Sequence, residues 1–192
     1  SAGEGGAILL NDTGYIEQCE YIRQKGTNYG KFSRGEVDRY TWVHPGSSYV
    51  PSEMQTALIY EQLSRRDEIT SARARNYELY CEGLSDLEST GVLRLPQIPE
   101  NRQSNYHIFH IRTVPPEDRD TLMTYLRERG IGAASHYEPL HSSRMGKRFG
   151  YDAGDLPVSE RVSKSLLRLP VHEGLDATDI QRVIDAVHSF YN

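Results

Sequence analysis

Two polar segments of the sequence carry side chains that could bind or transform a ligand. The first is the sequence HYEPLH at residues 136–141, which brings the imidazoles of His136 and His141 together with the phenol of Tyr137. The two histidines are five residues apart across a proline, and no third ligand is obvious, so their spacing does not predict a metal site. The segment therefore predicts either one wall of a polar ligand site or a pair of surface histidines.

The second segment is GSSYVPSEMQ at residues 46–55, in which small hydroxyl residues lead into a helix. Ser52 and Gln55 match a capping box, because the serine side chain takes one free backbone N–H and the glutamine reaches back to another. Taken alone, the hydroxyls of Ser47 and Ser48 predict only the start of a helix.

The rest of the sequence lacks a complete catalytic set. It contains no Gly-x-Ser-x-Gly, no phosphate-binding loop of the Gly-x-x-x-x-Gly-Lys type and no Gly-x-Gly-x-x-Gly. None of its four lysines lies in an apolar stretch of the kind that activates a nucleophilic lysine. The residues by themselves predict a polar loop site without its full chemistry.

Composition excludes several classes of protein. The net charge is −5, from 22 basic and 27 acidic side chains, which argues against sequence-independent binding of nucleic acid. No apolar run approaches the roughly 20 residues of a membrane span. Cys19 and Cys81 show no metal-type spacing and predict free thiols in a reduced compartment, so we expect a cytoplasmic protein without a metal.

Hydrophobic periodicity predicts an α/β chain whose later part is an α+β layout, with helices on one face of a small sheet. The single Trp and several tyrosines of the long loop favour order there, because such residues are usually buried. The predicted elements are a strand at 7–10, a helix at 13–24, a long loop at 26–50, a long or slightly broken helix at 52–84, strands at 92–95, 106–113 and 131–135, and helices at 116–130, 158–168 and 176–191.

Four segments together resemble the DegT/DnrJ/EryC1-type sugar aminotransferases, which use pyridoxal phosphate. They are residues 3–7 (GEGGA), 46–55, 136–141 and 166–170 (LLRLP), and the resemblance covers essentially the whole chain. Within this family, the chain most resembles members that aminate a dTDP-4-keto-6-deoxy sugar. This finer resemblance rests on residues 25–28 (KGTN) and 34–42 (RGEVDRYTW).

The resemblance implies the C-terminal portion of a fold-type I transferase. Residues 1–51 would end the large cofactor-binding domain, 52–84 would form a long connecting helix, and 85–192 would form a small α+β domain. The Schiff-base lysine of the family lies a few residues before the Gly-Glu-Gly-Gly segment and would therefore precede Ser1. We accordingly expect no catalytic residue in this chain, and a homodimer whose active site is shared across the interface.

The resemblance also implies substrates and binding residues. Glutamate would donate the amino group, and the 4-keto carbon of the dTDP-sugar would accept it. Family members with Gly-x-Asn-x-Arg at the second segment use the Asn to reach the cofactor phosphate; here Ser48 takes the Asn place and Val50 the Arg place. Ser48 and Tyr49 are the implied phosphate ligands. The implied substrate-binding residues are Lys31, Arg34, Tyr40 and Trp42 on the nucleotide-sugar side, and His136, Tyr137 and His141 at the substrate mouth.

Three alternatives stay open at this point. The chain could belong to a family member with another keto-sugar substrate, or to a dehydratase of the same fold in which histidine replaces the lysine. It could also be a non-catalytic module that binds a sugar nucleotide or forms dimers. The residue a few places before Ser1 discriminates among them, since lysine indicates a transaminase and histidine a dehydratase.

Overall fold

The computed structural model of the protein describes residues 3–192. The chain separates into two compact units, Ser1–Arg66 and Asp67–Asn192. The three-part division predicted from the resemblance, at residues 51 and 84, stays a prediction. Over residues 3–192, no helix is both long enough and apolar enough to cross a membrane.

The first unit is built from short helices joined by ordered loops. Ser52 begins the last of these helices with the predicted capping box: its hydroxyl accepts from the Gln55 N–H, and the Gln55 side chain accepts from the Ser52 N–H. The elements are a 3-10 turn at Thr13–Tyr15 and the helices α1 (Ile16–Arg23), α2 (Tyr29–Ser33) and α3 (Glu53–Ser64).

Two expectations for this unit are wrong. Residues 7–10 form no strand, and Ile8 and Leu9 are 74% and 92% exposed, because no described segment offers them a backbone partner. The predicted loop at 26–50 contains α2, which the search for apolar periodicity could not detect because the helix has only five residues.

The predicted long helix is broken. Helix α3 ends at Ser64, and α4 (Arg66–Gly83) begins after Arg65, whose backbone is not helical. The Ser64 hydroxyl donates to the Glu61 carbonyl at 2.7 Å, a local bond of the kind that competes with a continuing helix.

The second unit contains a four-stranded antiparallel sheet in the order β1-β2-β4-β3. Its strands are β1 (Leu93–Arg94), β2 (Phe109–Thr113), β3 (Ala134–Ser135) and β4 (Leu166–Leu169). Its helices after α4 are α5 (Ser85–Thr90), α6 (Asp118–Glu128), α7 (Arg144–Arg148), α8 (Pro157–Ser165) and α9 (Ala177–Tyr191).

The helix predicted at 158–168 is too long. Helix α8 ends at Ser165, and the next four residues form strand β4. Leu167 and Leu169 are buried while Leu166 and Arg168 are only partly buried, the alternation of a strand with one face against the core. Leucine and arginine also favour helices, so the hydrogen bonds from β2 and β3 on either side decide the outcome.

The core lies on one face of this sheet. The rings of Tyr80 from α4 and Phe109 from β2 stack at 4.6 Å between centroids, and the Tyr80 hydroxyl donates to the Pro170 carbonyl at 2.9 Å. Helix α9 has the predicted apolar stripe, capped by Asp176 and buried along Ile180, Val183, Ile184 and Val187. The opposite face of the sheet carries polar side chains such as His110 and Arg112, together with Leu166.

Leu167→Ala is expected to lower the free energy of unfolding by about 2–5 kcal/mol, because it removes a fully buried side chain from the central strand. Urea unfolding followed by far-UV circular dichroism measures this. Leu140→Ala is the matched control, since Leu140 is 86% exposed and its loss should change stability little. Equal effects of the two substitutions would contradict the assignment of β4 to the core.

Candidate functional site

In each unit, an open cavity is lined by residues that the sequence singled out. The cavity of the first unit, about 370 Å³, is named the loop cavity. Its lining residues are Arg23, Gln24, Lys25, Thr27, Tyr29, Tyr40, Ser48 and Val50. The cavity of the second unit, about 460 Å³, is named the sheet cavity. Its lining residues are His107, Ile108, Gly132, Ala134, His136, Tyr137, Arg168, Leu169, Pro170 and Val171.

The loop cavity is formed where the end of α1 meets the segment before α3. The Lys25 N–H donates to the Ser47 carbonyl at 2.9 Å, and the Tyr49 N–H donates to the Arg23 carbonyl at 3.1 Å. This antiparallel contact places Ser48 opposite Gln24. The cavity side chains therefore come from two segments that the backbone holds in a fixed register.

Glycine is required where these segments cross. Gly26 has a φ of +75°, and a Cβ there would overlap the carbonyl oxygen of His44. A Cβ at Gly46 would in turn overlap the backbone of Gly26. Lys25 also has a positive φ, of 63°, which is uncommon for a residue with a side chain. The turn thus holds a lysine in an unfavourable backbone conformation at the wall of the cavity.

The loop cavity is suited to an anion. Arg23 and Lys25 supply two positive charges, no lining residue is acidic, and neither cation forms an ion pair with any residue of 3–192. The Thr27 hydroxyl already donates to the Gln24 carbonyl at 2.7 Å. The Ser48 hydroxyl has no such partner among the described residues, so it remains able to donate to a ligand.

Of the residues predicted to bind ligands in this unit, Ser48 and Tyr40 line the loop cavity. Tyr49 and Trp42 do not line it; their side chains are 66% and 74% exposed. Tyr40 is held by edge-on contact with the ring of Tyr29, at 5.9 Å between centroids.

Lys31 and Arg34 lie outside the cavity in ion pairs. Lys31 pairs with Glu17, and the hydrogen bond between them raises the pKa of the lysine. Arg34 contacts both Glu20 and Glu36 at 2.6 Å, and its bond to Glu20 is the main cause of the lowered pKa of that carboxyl. Either residue would have to exchange these carboxylates before it could bind a ligand anion.

The sheet cavity is organised by Arg168 on β4. The register pairs Arg168 with Ala134 of β3, so that His136, two residues further, comes beside the guanidinium. Arg168 Nη1 lies 2.8 Å from His136 Nδ1. Burial and the positive charge of Arg168 lower the pKa of His136, which is therefore neutral at pH 7. Tyr137 lines the same cavity, and its carbonyl accepts from the Ser163 hydroxyl at 2.5 Å.

His141 is not part of this cavity. It is buried, with Nε2 at 3.0 Å from a carboxylate oxygen of Glu160 on α8. The same carboxylate accepts from the Gly154 N–H, and the hydrogen bond to His141 is the main cause of the lowered pKa of Glu160. His141 thus ties the loop after β3 to α8, and the role at the substrate mouth that the resemblance implies for it stays a prediction. Within residues 3–192, no group of three or more His, Cys, Asp or Glu side chains could hold a metal ion.

Sequence patterns do not identify the cations of the two cavities. They give Arg23 and Lys25 no role, and they place Arg168 in a helix. The alternation of leucine and arginine at 166–169 is the signal that could have identified Arg168 as the outward residue of a buried strand.

Comparison with known proteins identifies the chain. The model of the DegT/DnrJ/EryC1/StrS aminotransferase family matches residues 1–188. The chain belongs to this family. The cofactor of these aminotransferases is pyridoxal phosphate, as the resemblance implied.

Two curated relatives show the degree of similarity. The chain is 30% identical over 190 residues to the "Pleiotropic regulatory protein" of Geobacillus stearothermophilus, covering 98% of this chain and 48% of that protein. It is 31% identical over 189 residues to the dTDP-3-amino-3,4,6-trideoxy-alpha-D-glucose transaminase of Streptomyces venezuelae, covering 98% and 46%. The chain therefore spans about half the length of the curated relatives that it matches.

A solved structure confirms the fold. S. venezuelae DesV in complex with a ketimine intermediate superposes with a TM-score of 0.81 at 27% identity, covering 95% of this chain and 45% of that chain. The predicted fold class is thus confirmed: the chain has the α/β fold of part of a fold-type I aminotransferase.

Proposed function

We propose that the complete enzyme transfers an amino group from glutamate to the 4-keto carbon of a dTDP-4-keto-6-deoxy sugar, giving dTDP-4-amino-4,6-dideoxygalactose. Family membership supports the amino transfer, and the match of residues 25–28 and 34–42 supports the sugar. The observation that carries the proposal is the loop cavity, where Ser48 lies with two unpaired cations and no carboxylate.

The loop cavity fits the phosphate of the cofactor. The Ser48 hydroxyl would donate to one phosphate oxygen, and Arg23 and Lys25 would supply the positive charge that a phosphate requires. Val50 lines the same cavity but has no donor, so it contributes only an apolar wall. Tyr49 belongs to the proposed site through its backbone, which fixes the register of Ser48.

Catalysis needs groups beyond these residues. When bound, pyridoxal phosphate supplies the electron sink that lets an amino group leave one carbon and join another. The lysine that anchors the cofactor and moves the proton is proposed to precede Ser1, so this chain alone should not turn over. We propose a homodimer in which the loop cavity of one subunit holds the cofactor phosphate of its partner.

Two sets of residues are proposed to bind the substrate. Tyr40, Trp42, Lys31 and Arg34 are proposed for the nucleotide sugar. His136 and Tyr137, which line the sheet cavity, are proposed for the mouth of the substrate site, and His141 supports that loop through Glu160.

A second candidate is amino transfer to a 3-keto sugar. Two curated relatives carry the name dTDP-3-amino-3,4,6-trideoxy-alpha-D-glucose transaminase, which favours this position of the keto group. Histidine at the position proposed for the lysine would indicate a dehydratase instead. The absence of any coding sequence before this chain would indicate a non-catalytic module.

The complete enzyme loaded with pyridoxal phosphate is expected to convert a dTDP-4-keto-6-deoxy sugar to an amino sugar with glutamate as donor. Mass spectrometry of the product measures this, with the corresponding 3-keto sugar assayed in parallel. Product from the 3-keto sugar alone would select the second candidate. Absence of an amino-sugar product from both substrates would contradict the proposed transaminase activity.

Ser48→Ala in the complete enzyme is expected to weaken cofactor binding by about 1 kcal/mol, roughly fivefold in Kd, the scale of one hydrogen bond. Equilibrium dialysis of the cofactor measures this without any need for turnover. Ser47→Ala is the matched control, because the neighbouring side chain does not line the cavity. Equal Kd values for the two variants would show that the Ser48 side chain does not bind the phosphate.

A further inference from the structure

The side chain of Asn28 is buried, although asparagine is usually exposed. It lies just before α2 and retains only 9% of its accessible surface. Its Oδ1 accepts from the Thr41 N–H at 2.7 Å, and its Nδ2 donates to the Arg39 carbonyl at 3.4 Å. The backbone N–H of Asn28 donates to the Thr41 carbonyl at 3.2 Å. Asn28 therefore ties the start of α2 to a loop that lies much further along the chain.

These hydrogen bonds hold the backbone on both sides of Tyr40, since they reach the residue before it and the residue after it. The next part of the loop is fixed as well. The N–H groups of Val43 and His44 both donate to the Gly26 carbonyl, at 2.8 and 2.9 Å. The backbone that carries Tyr40 thus has a fixed position relative to residues 26–28.

Tyr40 and Tyr29 form the aromatic side of the loop cavity. The ring of Tyr40 contacts the ring of Tyr29 edge-on, at 5.9 Å between centroids, and the ring of Phe32 at 6.1 Å. Tyr40 is nevertheless 58% exposed, and neither tyrosine hydroxyl forms a hydrogen bond with another residue of 3–192. An open aromatic ring with a free hydroxyl suits a ligand that has both apolar and polar parts, such as a sugar or a base.

The cationic side of the loop cavity does not depend on Asn28. Residues 23–25 and 47–49 are joined by backbone hydrogen bonds of their own, and Asn28 takes part in none of them. Asn28 also does not line the cavity. Its side chain therefore fixes only the aromatic side of the cavity, through Tyr40, while the proposed phosphate site has a separate support.

We propose that Asn28 is a positioning residue for the nucleotide sugar, because it holds Tyr40 where the phenol ring can contact this substrate. The identity of the ligand rests on the proposed function, in which Tyr40 binds the nucleotide sugar. The positioning itself rests on the hydrogen bonds of Asn28 to Arg39 and Thr41. Since these bonds form without a ligand, the entropy cost of ordering the loop does not reduce the affinity for the substrate.

Isothermal titration calorimetry of dTDP with the complete, cofactor-loaded enzyme tests this proposal. Asn28→Ala is expected to raise the Kd of dTDP roughly fivefold, the scale of one lost hydrogen bond. Asn28→Asp keeps the acceptor for the Thr41 N–H but loses the donor to the Arg39 carbonyl, so its Kd should be intermediate. The Kd of pyridoxal phosphate, measured by equilibrium dialysis, should change by less than about twofold in both variants. Unchanged dTDP binding in Asn28→Ala, or an equal loss of cofactor binding, would overturn the proposal.

Asn76→Ala is the matched control. Asn76 is also a buried asparagine, 5% exposed, and its Nδ2 donates to the carbonyls of His172 and Leu175. Its loss should therefore lower stability in a similar way, but it belongs to the second unit and lines neither cavity. The Kd of dTDP should stay within about twofold of the wild-type value. Equal weakening by Asn76→Ala and Asn28→Ala would show a general loss of stability and would contradict a positioning role.

Two further measurements test whether Asn28 acts through Tyr40. In a Tyr40→Ala background, Asn28→Ala should raise the Kd of dTDP by less than about twofold, because the residue that it positions is already gone. Fully additive effects would contradict the proposal. Hydrogen exchange of the ligand-free enzyme should be faster at the Thr41 amide in Asn28→Ala than in the wild type, and an unchanged rate would also contradict it.

The exchange measurement separates this inference from the proposed function. It requires no ligand and shows directly whether Asn28 holds the loop that carries Tyr40. If the wild-type enzyme does not bind dTDP, the proposed substrate and its contact with Tyr40 are both wrong. If the wild type binds dTDP and Asn28→Ala binds it equally well, only the role of Asn28 is wrong.

Discussion

The backbone contact between residues 23–25 and 47–49 is the constraint on which the candidate cofactor site depends. It holds Ser48 opposite Gln24 and keeps Lys25 in a left-handed conformation, and it exists only because Gly26 and Gly46 allow the two segments to approach. Backbone strain of this kind persists only where the surrounding structure fixes it, and it is common at ligand sites. The polar groups that result face one cavity instead of being scattered along two loops.

The two cavities share one electrostatic property. Arg23, Lys25 and Arg168 form no ion pair within residues 3–192, while Lys31 and Arg34 each contact at least one carboxylate. The loop cavity combines two such cations with a lining that contains no carboxylate, and it is therefore the proposed site of the cofactor phosphate.

The sequence predicted elements wherever a local pattern determines them. The capping box at Ser52 and the apolar stripe of α9 depend on neighbouring residues and were confirmed. Strand β4 was missed because its leucines suit a helix as well as a strand, and only pairing with β2 and β3 decides between them. The resemblance supplied the family and cofactor. It could not show that His141 is buried against Glu160, because that contact depends on how the loop folds back onto α8.

The most direct test of the proposed cofactor site is a crystal structure of the complete enzyme with pyridoxal phosphate bound. A phosphate oxygen is expected within hydrogen-bond distance of Ser48 Oγ, in the cavity that Arg23 and Lys25 line. A cofactor whose phosphate is held by other residues, with the loop cavity of both subunits filled only by water, would contradict the proposed site.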